Sequence, residues 1–285
     1  MASQTVAILV AAEPGRFSDL AREERALVLA LSDLGWAAEY VPWATDGDWS
    51  AYPAVLIRET WDYHLRLPEF LAALERIERE TVLWNTLELV GWNADKGYLL
   101  DLADQGVRVV PTVISNGVPL AAFEKAASER VVAKPAVSAS AYKTFLLDAS
   151  DPSTVTRATE ALAGMRTLIQ PFVPSIQTRG ETSLIYFDGV FSHAMRKTPG
   201  TGDFRVQEEL GGVSVPVEAS EDELNLAERL LASLPSQPLF ARVDLVLWEE
   251  EPAVLELELI EPVLFLSQPG AARRCAEAVT ARLRS

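Results

Sequence analysis

One stretch near the end of the chain combines acidic side chains with the alternation typical of β-strands. Residues 241–262, ARVDLVLWEEEPAVLELELIEP, read as two strands, 242–248 and 253–260, joined by an acidic turn. Successive side chains of a strand point to opposite faces, so one face of such a hairpin is expected to carry three carboxylates. The three residues are Asp244, Glu256 and Glu258.

The opposite face of the same hairpin is expected to pack on the core through Leu255, Leu257 and Leu259. Three carboxylates that approach one another repel unless a cation lies between them. Mg²⁺ prefers carboxylate oxygens and is usually shared with substrate phosphates, so the acidic face is a candidate Mg²⁺ site. The alternative is a solvated acidic strand, which is ordinary in a chain with 41 acidic residues.

Four basic residues stand at strand ends or in loops, where they can meet phosphates. Lys96 opens a predicted helix, and Lys134 follows the strand of VVAKP. Arg196 ends a strand and Arg205 lies in a Gly-rich loop. Taken singly, each is more often a solvated surface residue. Together with the carboxylates, and in this order, they favour a triphosphate held between cationic side chains and Mg²⁺.

Length, charge and cysteine content limit the class of protein. The 285 residues suffice for about two domains, and the net charge of −16 argues against a nucleic acid or an anionic membrane as partner. The single cysteine, Cys275, excludes an intramolecular disulfide and suits a reducing cytosol. Residues 5–12 are apolar but too short to span a membrane, so we read them as a buried strand of a cytoplasmic protein.

The first 92 residues alternate between strand and helix patterns, which predicts an open parallel α/β sheet with helices on its faces. A GxGxxG fingerprint is absent, so nothing favours NAD binding. Ser18 is expected to open the first helix and Gly35 to end it. Strands are expected at 6–12, 37–41, 54–57 and 82–84, and helices at 18–34 and 67–79.

The remainder of the chain mixes the two element types and predicts an α+β fold. One helix is expected over 95–105, capped by Asn93 or Asp95. The Asp-Gly pair at 188–189 predicts a hairpin turn, and Ser220 predicts a capping box at a helix start. Strands are expected at 131–135, 167–170, 183–187 and 190–194, and further helices at 153–164, 220–234 and 271–283.

Eight motifs in a fixed order resemble those of ATP-grasp ligases of the glutathione synthetase and RimK type. They are WNADKGYLLDL, GVRVVPT, VVAKP, IQPFV, GETSLIYFDGVFSHAMRKTP, DFRVQEELGG, ARVDL and LELELIEP. Within this family the chain is similar to the ligase type that closes the ring in D-cycloserine biosynthesis. The resemblance implies an open α/β domain at 1–92, a small ATP-grasp subdomain with a linking helix at 93–168, and a carboxy-terminal subdomain at 169–285.

The resemblance also implies residues that handle the phosphates of ATP. Lys96 and Lys134 would hold the α- and β-phosphates, and Arg196 and Arg205 would act as catalytic residues that neutralise the transferring phosphoryl group. Two Mg²⁺ ions, for which Mn²⁺ can substitute, would be bound by Asp244, Glu256 and Glu258. Such ligases usually carry Glu-x-Asn at the last two of these positions, so Glu258 departs from the pattern, and Glu261 is an alternative ligand.

At the other end of the nucleotide, the resemblance implies that adenine binds Gln170 together with backbone groups of Phe172 and Val173. The ribose would be bound by Glu181 or by Gln177. The loop after Lys134 has serines and alanines where glycines are common, so its backbone is expected to approach a phosphate less closely.

The acceptor pocket is expected near IRETWDYH. Arg58 follows a predicted strand, at the edge where an open α/β sheet binds ligands, and can bind a substrate carboxylate there. The next residues, Trp61, Asp62 and Tyr63, are expected to shape an amino-acid pocket. The alternative is aromatic core packing beside a surface arginine. Structural roles are expected for His64, His193 and Cys275.

The predicted function is an ATP- and Mg²⁺-dependent carboxylate–amine ligase that acts through an acylphosphate on a small amino-acid-like substrate, with cyclisation as one possible outcome. The alternatives are ligation of two amino acids or of an amino acid to a peptide, phosphoryl transfer to a hydroxyl, and a catalytically silent nucleotide-binding module. The sequence leaves the substrates open, as well as the choice between intramolecular and intermolecular ligation and the formation of a homodimer.

Overall fold

The structure, a computed structural model, describes residues 4–11, 20–118, 123, 126 and 128–284. Ser18, the predicted start of the first helix, and Ala12, the predicted end of the first strand, lie outside these residues. The strands within the described ranges form three sheets. No helix in this part of the chain is long and apolar enough to span a bilayer.

The first sheet is built from the amino-terminal elements β1 (Thr5–Val10), α1 (Leu20–Asp33), β2 (Ala37–Pro42), β3 (Ala54–Glu59), α2 (Leu67–Glu80) and β4 (Val82–Trp84). Its strands are parallel in the order β2-β1-β3-β4, so the predicted open parallel sheet is confirmed. Side chains of β1 and β3 are buried on both faces, which explains why these strands are nearly continuous apolar runs. Gly35, with φ +87°, follows α1 as predicted.

Two short helices, α3 (Leu87–Asn93) and α4 (Tyr98–Asp104), follow this sheet. The prediction of one helix over 95–105 is therefore wrong in its first turn, and the sequence patterns do not predict α3. Thr86 caps α3 by accepting the backbone N–H three residues on. The Asp95 carboxylate accepts the N–H two residues on, within the bend that separates the helices.

The second sheet contains β5 (Val113–Asn116), β6 (Arg130–Pro135), β7 (Phe145–Asp148) and β8 (Arg166–Pro171), with α5 (Pro152–Ala161) packed on it. Its strands are antiparallel in the order β5-β8-β6-β7. The predictions agree closely for β6 and β8 but miss β5 and β7, which are short and only partly buried.

The third sheet contains β9 (Glu181–Phe187), β10 (Val190–Thr198), β11 (Val213–Val217), β12 (Phe240–Trp248) and β13 (Glu251–Glu258), with helices α6 (Ser175–Thr178), α7 (Glu221–Ala232) and α8 (Ala271–Arg282). It is antiparallel in the order β11-β10-β9-β12-β13. The predicted capping box is present at Ser220, which exchanges hydrogen bonds with Glu223.

The predicted acidic hairpin is confirmed as β12 and β13, but with a bulge. Asp244 pairs with Glu256, and the register then shifts so that Leu255 has no partner. Because a bulge reverses the alternation, Leu255 packs with the cluster around Val246, whereas Leu257 packs on the opposite face. The prediction that Leu255 shares a face with Leu257 and Leu259 is therefore wrong.

The outer edge of β13 bonds to the backbone of residues 108–110 at Val254 and to helix side chains from Leu257 onward. The Asn93 amide donates to the Leu257 carbonyl and accepts the Leu259 N–H, both at 2.9 Å. The Tyr98 hydroxyl donates to the Leu257 carbonyl and accepts the Leu257 N–H, both at 2.8 Å. These helix side chains replace a neighbouring strand and fix the strand that carries Glu256.

Packing ties the three sheets together. One apolar cluster joins α1 and α8 with side chains of the first and third sheets, and a second joins α4 and α7 with the third sheet. The division at 92/93 and 168/169 stays a prediction. Because β8 belongs to the second sheet, we propose that the second boundary falls after Pro171.

Tyr98→Phe tests the side-chain edge of β13. The change removes the hydroxyl that serves both backbone groups of Leu257, and an unsatisfied buried polar group costs about 1–3 kcal/mol. We expect the free energy of unfolding in urea to fall by about 2 kcal/mol. Tyr40→Phe, on a half-exposed tyrosine of β2, serves as the control. Equal stability of the two variants would contradict this account of the edge.

Candidate active site

A cleft of about 910 Å³ opens where the three sheets meet. Each sheet contributes polar side chains to its wall. They include Tyr63 from the turn that follows β3 of the first sheet, Lys134 and Gln170 from the second sheet, and Lys197, Arg242, Glu256 and Glu258 from the third.

Glu256 lies between two lysines in this cleft. Its carboxylate oxygens are 2.7 Å from Lys134 Nζ and 3.0 Å from Lys96 Nζ. Lys96 stands in the bend between α3 and α4 and also donates to the Ser138 carbonyl at 2.7 Å. Burial favours a raised pKa for Glu256, but the two ammonium groups outweigh it and lower the pKa. Glu256 is therefore ionised, and the predicted lysines and one predicted carboxylate converge.

Asp244 is held by two further cations on the same face. Arg242 donates to both of its oxygens at 3.0–3.2 Å and also pairs with Glu258. Lys197 Nζ is 3.3 Å from the Asp244 carboxylate and pairs with Glu181 as well. Burial favours a raised pKa for Asp244, and the Arg242 and Lys197 charges more than offset it, so the pKa is lowered.

The predicted metal carboxylates have the donor chemistry that Mg²⁺ requires, since all are oxygens on one face of the hairpin. Lysine and arginine side chains lie between these carboxylates. In the described residues, no three acidic, histidine or cysteine side chains lie close enough together to hold a metal ion as they stand. Glu261 also borders the cleft, and burial followed by the Glu258 charge raises its pKa to about 8.

Arg196 does not face the cleft, contrary to the role expected for it. Alternation along β10 puts Met195 and Lys197 on the cleft wall and Arg196 on the opposite face. There its guanidinium donates to Thr182 Oγ1 at 3.0 Å and lies 4.0 Å from Glu223. This placement contradicts a phosphoryl contact by Arg196.

Arg205 does border the cleft, in the loop between β10 and β11. Its guanidinium pairs with Asp203 at 2.7 Å, and that hydrogen-bonded pairing, strongest among several causes, lowers the pKa of Asp203. The side chain is about one-third exposed. The catalytic role expected for Arg205 stays a prediction.

The residues predicted to bind adenine flank the end of β8. Gln170 and Val173 line the cleft, and the Gln170 amide donates to Thr112 Oγ1 at 3.1 Å. Phe172 is buried beside them, but its N–H donates to the Arg130 carbonyl and its ring lies under the Arg130 guanidinium. The Phe172 N–H is therefore already bonded and does not face a ligand in the cleft.

Of the two residues considered for binding the ribose, only one lines the cleft. Glu181 is buried on the cleft wall, and burial raises its pKa although Lys197 opposes the change. Gln177 is exposed on α6 and is not among the cleft residues.

Of the residues predicted to form the acceptor pocket, two line the cleft and two do not. Tyr63 and Trp61 line the cleft, and burial raises the pKa of Tyr63 further above its usual value. Asp62 accepts a hydrogen bond from the Trp43 indole at 2.7 Å and is not a cleft residue. Arg58 is buried with Glu24 at 2.8 Å, below the cleft wall. The prediction that Arg58 binds a substrate carboxylate is contradicted by this burial.

The loop after Lys134 reaches glycine-like geometry without glycines. Ser140, Ala141 and Lys143 have φ of 48°, 55° and 47°, in the left-handed region that favours glycine. Ser140 and Ala141 line the cleft. Serine and alanine therefore adopt the backbone conformation that glycine favours, and the expected looser approach to a phosphate stays a prediction.

Comparisons with known proteins agree with this geometry. Residues 6–85 match the amino-terminal domain of D-cycloserine synthetase DcsG, and residues 103–249 match the ATP-grasp domain of prokaryotic glutathione synthetase. The cycloserine biosynthesis protein DcsG of Streptomyces lavendulae is 36% identical, over 90% of this chain and 93% of that protein. The chain belongs to the ATP-grasp family.

Solved ATP-grasp structures show the same fold. The crystal structure of D-cycloserine synthetase DcsG matches with a TM-score of 0.83 and 31% identity, over 98% of this chain and 99% of that one. D-alanine–D-alanine ligase from Bacillus anthracis matches with a TM-score of 0.75 and 11% identity, over 99% and 98%, which shows the fold alone. The predicted fold class and the predicted ATP-grasp ligase family are confirmed.

Lys197 and Arg242 are ATP-grasp cleft residues that the sequence reasoning missed. A signal was present for each. Arg242 precedes Asp244 by two residues and so shares its strand face, and Lys197 neighbours Arg196 in the motif that was assigned. To choose between Lys197 and Arg196, one must know which side chains of β10 face the cleft. The sequence does not show this, because the strand contains a register shift between Phe191 and His193.

Glu256→Gln tests the charge balance of the ATP-grasp cleft. Removing the carboxylate leaves two largely buried ammonium groups unpaired, which costs about 3 kcal/mol of unfolding free energy. Because the folded pKa lies below the usual 4.5, ionised Glu256 stabilises the fold above that pH and the contribution is lost on acidification. Urea unfolding should therefore depend less on pH between about 5 and 3 in the variant.

The control for this measurement is Glu75→Gln, an exposed carboxylate paired with Arg79 on α2. It should change stability by less than about 1 kcal/mol. An unchanged pH dependence in Glu256→Gln would contradict the assignment of the depressed pKa.

Proposed function

We propose that the chain is an ATP- and Mg²⁺-dependent carboxylate–amine ligase that activates a carboxylate as an acylphosphate. The observation that carries this proposal is the convergence of Lys96 and Lys134 on Glu256 in the cleft, beside Asp244 and Arg242. Four cations line the cleft with Glu181, Glu256 and Glu258, and Asp244 pairs with two of those cations. This set suits a triphosphate with its metal, because each phosphate oxygen can take a cation and the metal can take the carboxylates.

The nucleotide is assigned along the cleft from the same contacts. Lys96 and Lys134 bind the α- and β-phosphates, and Glu181 binds the ribose. The base lies between the two ATP-grasp sheets, against Val173 and Leu255, with the Gln170 amide at its edge. Support comes from the placement of these side chains along the lining of one cleft, where Lys96, Gln170, Val173 and Glu181 are buried. Solved relatives with this fold hold ATP, or Mg²⁺ with ADP.

Asp244, Glu256 and Glu258 would hold Mg²⁺, with Glu261 as the alternative to one of the glutamates. An ion held by these carboxylates would neutralise phosphate charge as it develops. Two ions, and replacement by Mn²⁺, remain predictions.

The proposed reaction has two steps, and cationic side chains of the cleft neutralise the charge that develops. A substrate carboxylate oxygen attacks the γ-phosphorus while the bond to the ADP oxygen breaks. An amine nitrogen then attacks the acylphosphate carbonyl, phosphate leaves with its oxygen, and the nitrogen loses a proton. Lys197 and Arg242 lie on the cleft face and take the charge-neutralising role that the sequence suggested for Arg196, with Arg205 as a further candidate.

The proposed substrate is small and amino-acid-like, and cyclisation in the manner of cycloserine formation is the first reaction to test. The support is the similarity over nearly the whole chain to a cycloserine biosynthesis protein. Ligation of two amino acids or to a peptide is the second candidate, favoured by the same fold in D-alanine–D-alanine ligase. The cytoplasmic location and the homodimer remain predictions.

Release of ADP in the presence of ATP, Mg²⁺ and a panel of amino acids, including O-ureidoserine, tests the function. A ligase releases ADP and phosphate together with an amide product. Retained ATP binding without turnover on any substrate would favour the nucleotide-binding module, and a stable phosphorylated product would favour phosphoryl transfer to a hydroxyl.

Lys134→Ala and Asp244→Asn should each abolish turnover with the fold retained. The first removes a phosphate ligand and the second a metal ligand, and such contacts act on charge developed in the transition state. Product formation and circular dichroism are measured together. Arg157→Ala, at an exposed position of α5, is the control. Wild-type turnover in either cleft variant would refute the site.

Lys197→Ala and Arg196→Ala, neighbours in sequence, separate the two faces of β10. We expect Lys197→Ala to lower kcat by about 100-fold or more, as for loss of one charge-stabilising contact. Arg196→Ala should change kcat by less than about threefold, because its guanidinium points to Thr182 and Glu223. The reverse order of effects would restore Arg196 to the cleft.

A further inference from the structure

The segment after β13 runs along the cleft toward α8 and is anchored by side chains at nearly every residue. We call residues 262–266 the strap. Arg58 donates to the Pro262 carbonyl and Arg242 to the Val263 carbonyl, both at 3.2 Å. His193 Nε2 lies 3.1 Å from the Leu264 carbonyl.

Glu23 of α1 holds the middle of the strap. One carboxylate oxygen accepts the Leu264 N–H at 3.1 Å and the other accepts the Leu266 N–H at 3.0 Å. The side chain is buried and borders the cleft. A single carboxylate thus satisfies two backbone donors on alternate residues, an arrangement that orients the strap relative to the first sheet.

The residue between those donors is in an unfavourable conformation. Phe265 has φ +50°, a left-handed geometry that costs a non-glycine residue of order 1 kcal/mol or more. Such a conformation persists only where the surroundings fix it. The two hydrogen bonds to Glu23 flank Phe265 and supply that constraint.

We propose that Glu23 is a positioning residue for the ligase reaction: it fixes the strap, and with it the Val263 carbonyl that anchors Arg242 beside Asp244 and Glu258. The chain of contacts runs from α1 through the strap to the cation on the cleft wall. This inference rests on the proposed function. It gives the amino-terminal domain a part in arranging the phosphate end of the cleft.

The charges around Glu23 give the contact a pH dependence. Burial raises the pKa of Glu23 to about 7, Arg58 opposes the change and Glu24 adds to it. Cys275 of α8 also faces this group, with a pKa of about 12, and His193 on the far side of the strap has one of about 4. Both stay neutral near pH 7. Arg242 stays charged. Below about pH 7 Glu23 gains a proton, and its grip on the two N–H groups weakens.

The test compares Glu23→Gln with Asp33→Asn, an exposed acid on the same helix. Glutamine keeps the shape but offers one acceptor, so one hydrogen bond is lost. A loss of about 1.4 kcal/mol corresponds to a tenfold fall in kcat. We expect that fall with KM for ATP changed less than threefold. We also expect wild-type activity to decline below about pH 7, and Glu23→Gln to lose that decline. Asp33→Asn should keep the wild-type kcat and pH profile.

Hydrogen exchange at the Leu264 and Leu266 amides supplies a readout that does not need turnover. We expect smaller protection factors, which correct for the intrinsic pH dependence of amide exchange, in Glu23→Gln and in the wild type below pH 7. Glu23→Asp keeps the charge on a shorter arm and should retain the acid limb with intermediate kcat, which also covers a failure of Glu23→Gln to fold.

Unchanged protection factors at both amides, or an acid limb that persists in Glu23→Gln, would overturn the positioning role. A wild type without ligase turnover whose strap amides still lose protection below pH 7 would refute the proposed function and leave the strap contact standing.

Discussion

The structure depends on a layer of opposite charges buried on one face of the third sheet. Each carboxylate there touches at least one cation, and each cation touches at least one carboxylate. Removing charge from water is costly unless partners compensate, so the layer is stable only as a set. Its members are Lys96, Lys134, Lys197 and Arg242 against Glu181, Asp244, Glu256 and Glu258.

That charge layer needs a rigid frame, and the frame is made by strands whose edges are closed. β12 lies between β9 and β13, so its carboxylate and guanidinium are fixed on both sides. β13 is closed by the backbone of residues 108–110 at Val254 and by Asn93 and Tyr98 at Leu257. The bend that follows α3 also carries Lys96, so the segment that closes the edge presents a lysine to Glu256. Strand closure and charge pairing are therefore parts of one arrangement.

The sequence predicted what local patterns determine and failed where distant partners decide. Alternation identified Asp244 and Glu256 on one face, because a strand has a fixed period of two. It could not show the bulge at Leu255, which depends on pairing across the hairpin. It could not show that Arg58 is buried against Glu24, 34 residues away. The sequence pointed to Arg196 as the cleft residue, whereas the next residue, Lys197, faces the cleft. A shift of one residue is enough to change the face of a strand.

The cations of the buried layer and the groups expected to bind in the cleft compete for the same carboxylates. Mg²⁺ alone would have to displace ammonium or guanidinium groups from Glu256 and Asp244, leaving those cations unpaired in a poorly solvated place. Phosphates that take Lys96 and Lys134 remove this obstacle, since the lysines then pair with oxygens of the nucleotide. Nucleotide and metal should therefore bind more favourably together than either does alone, and the chain's own charges provide the coupling.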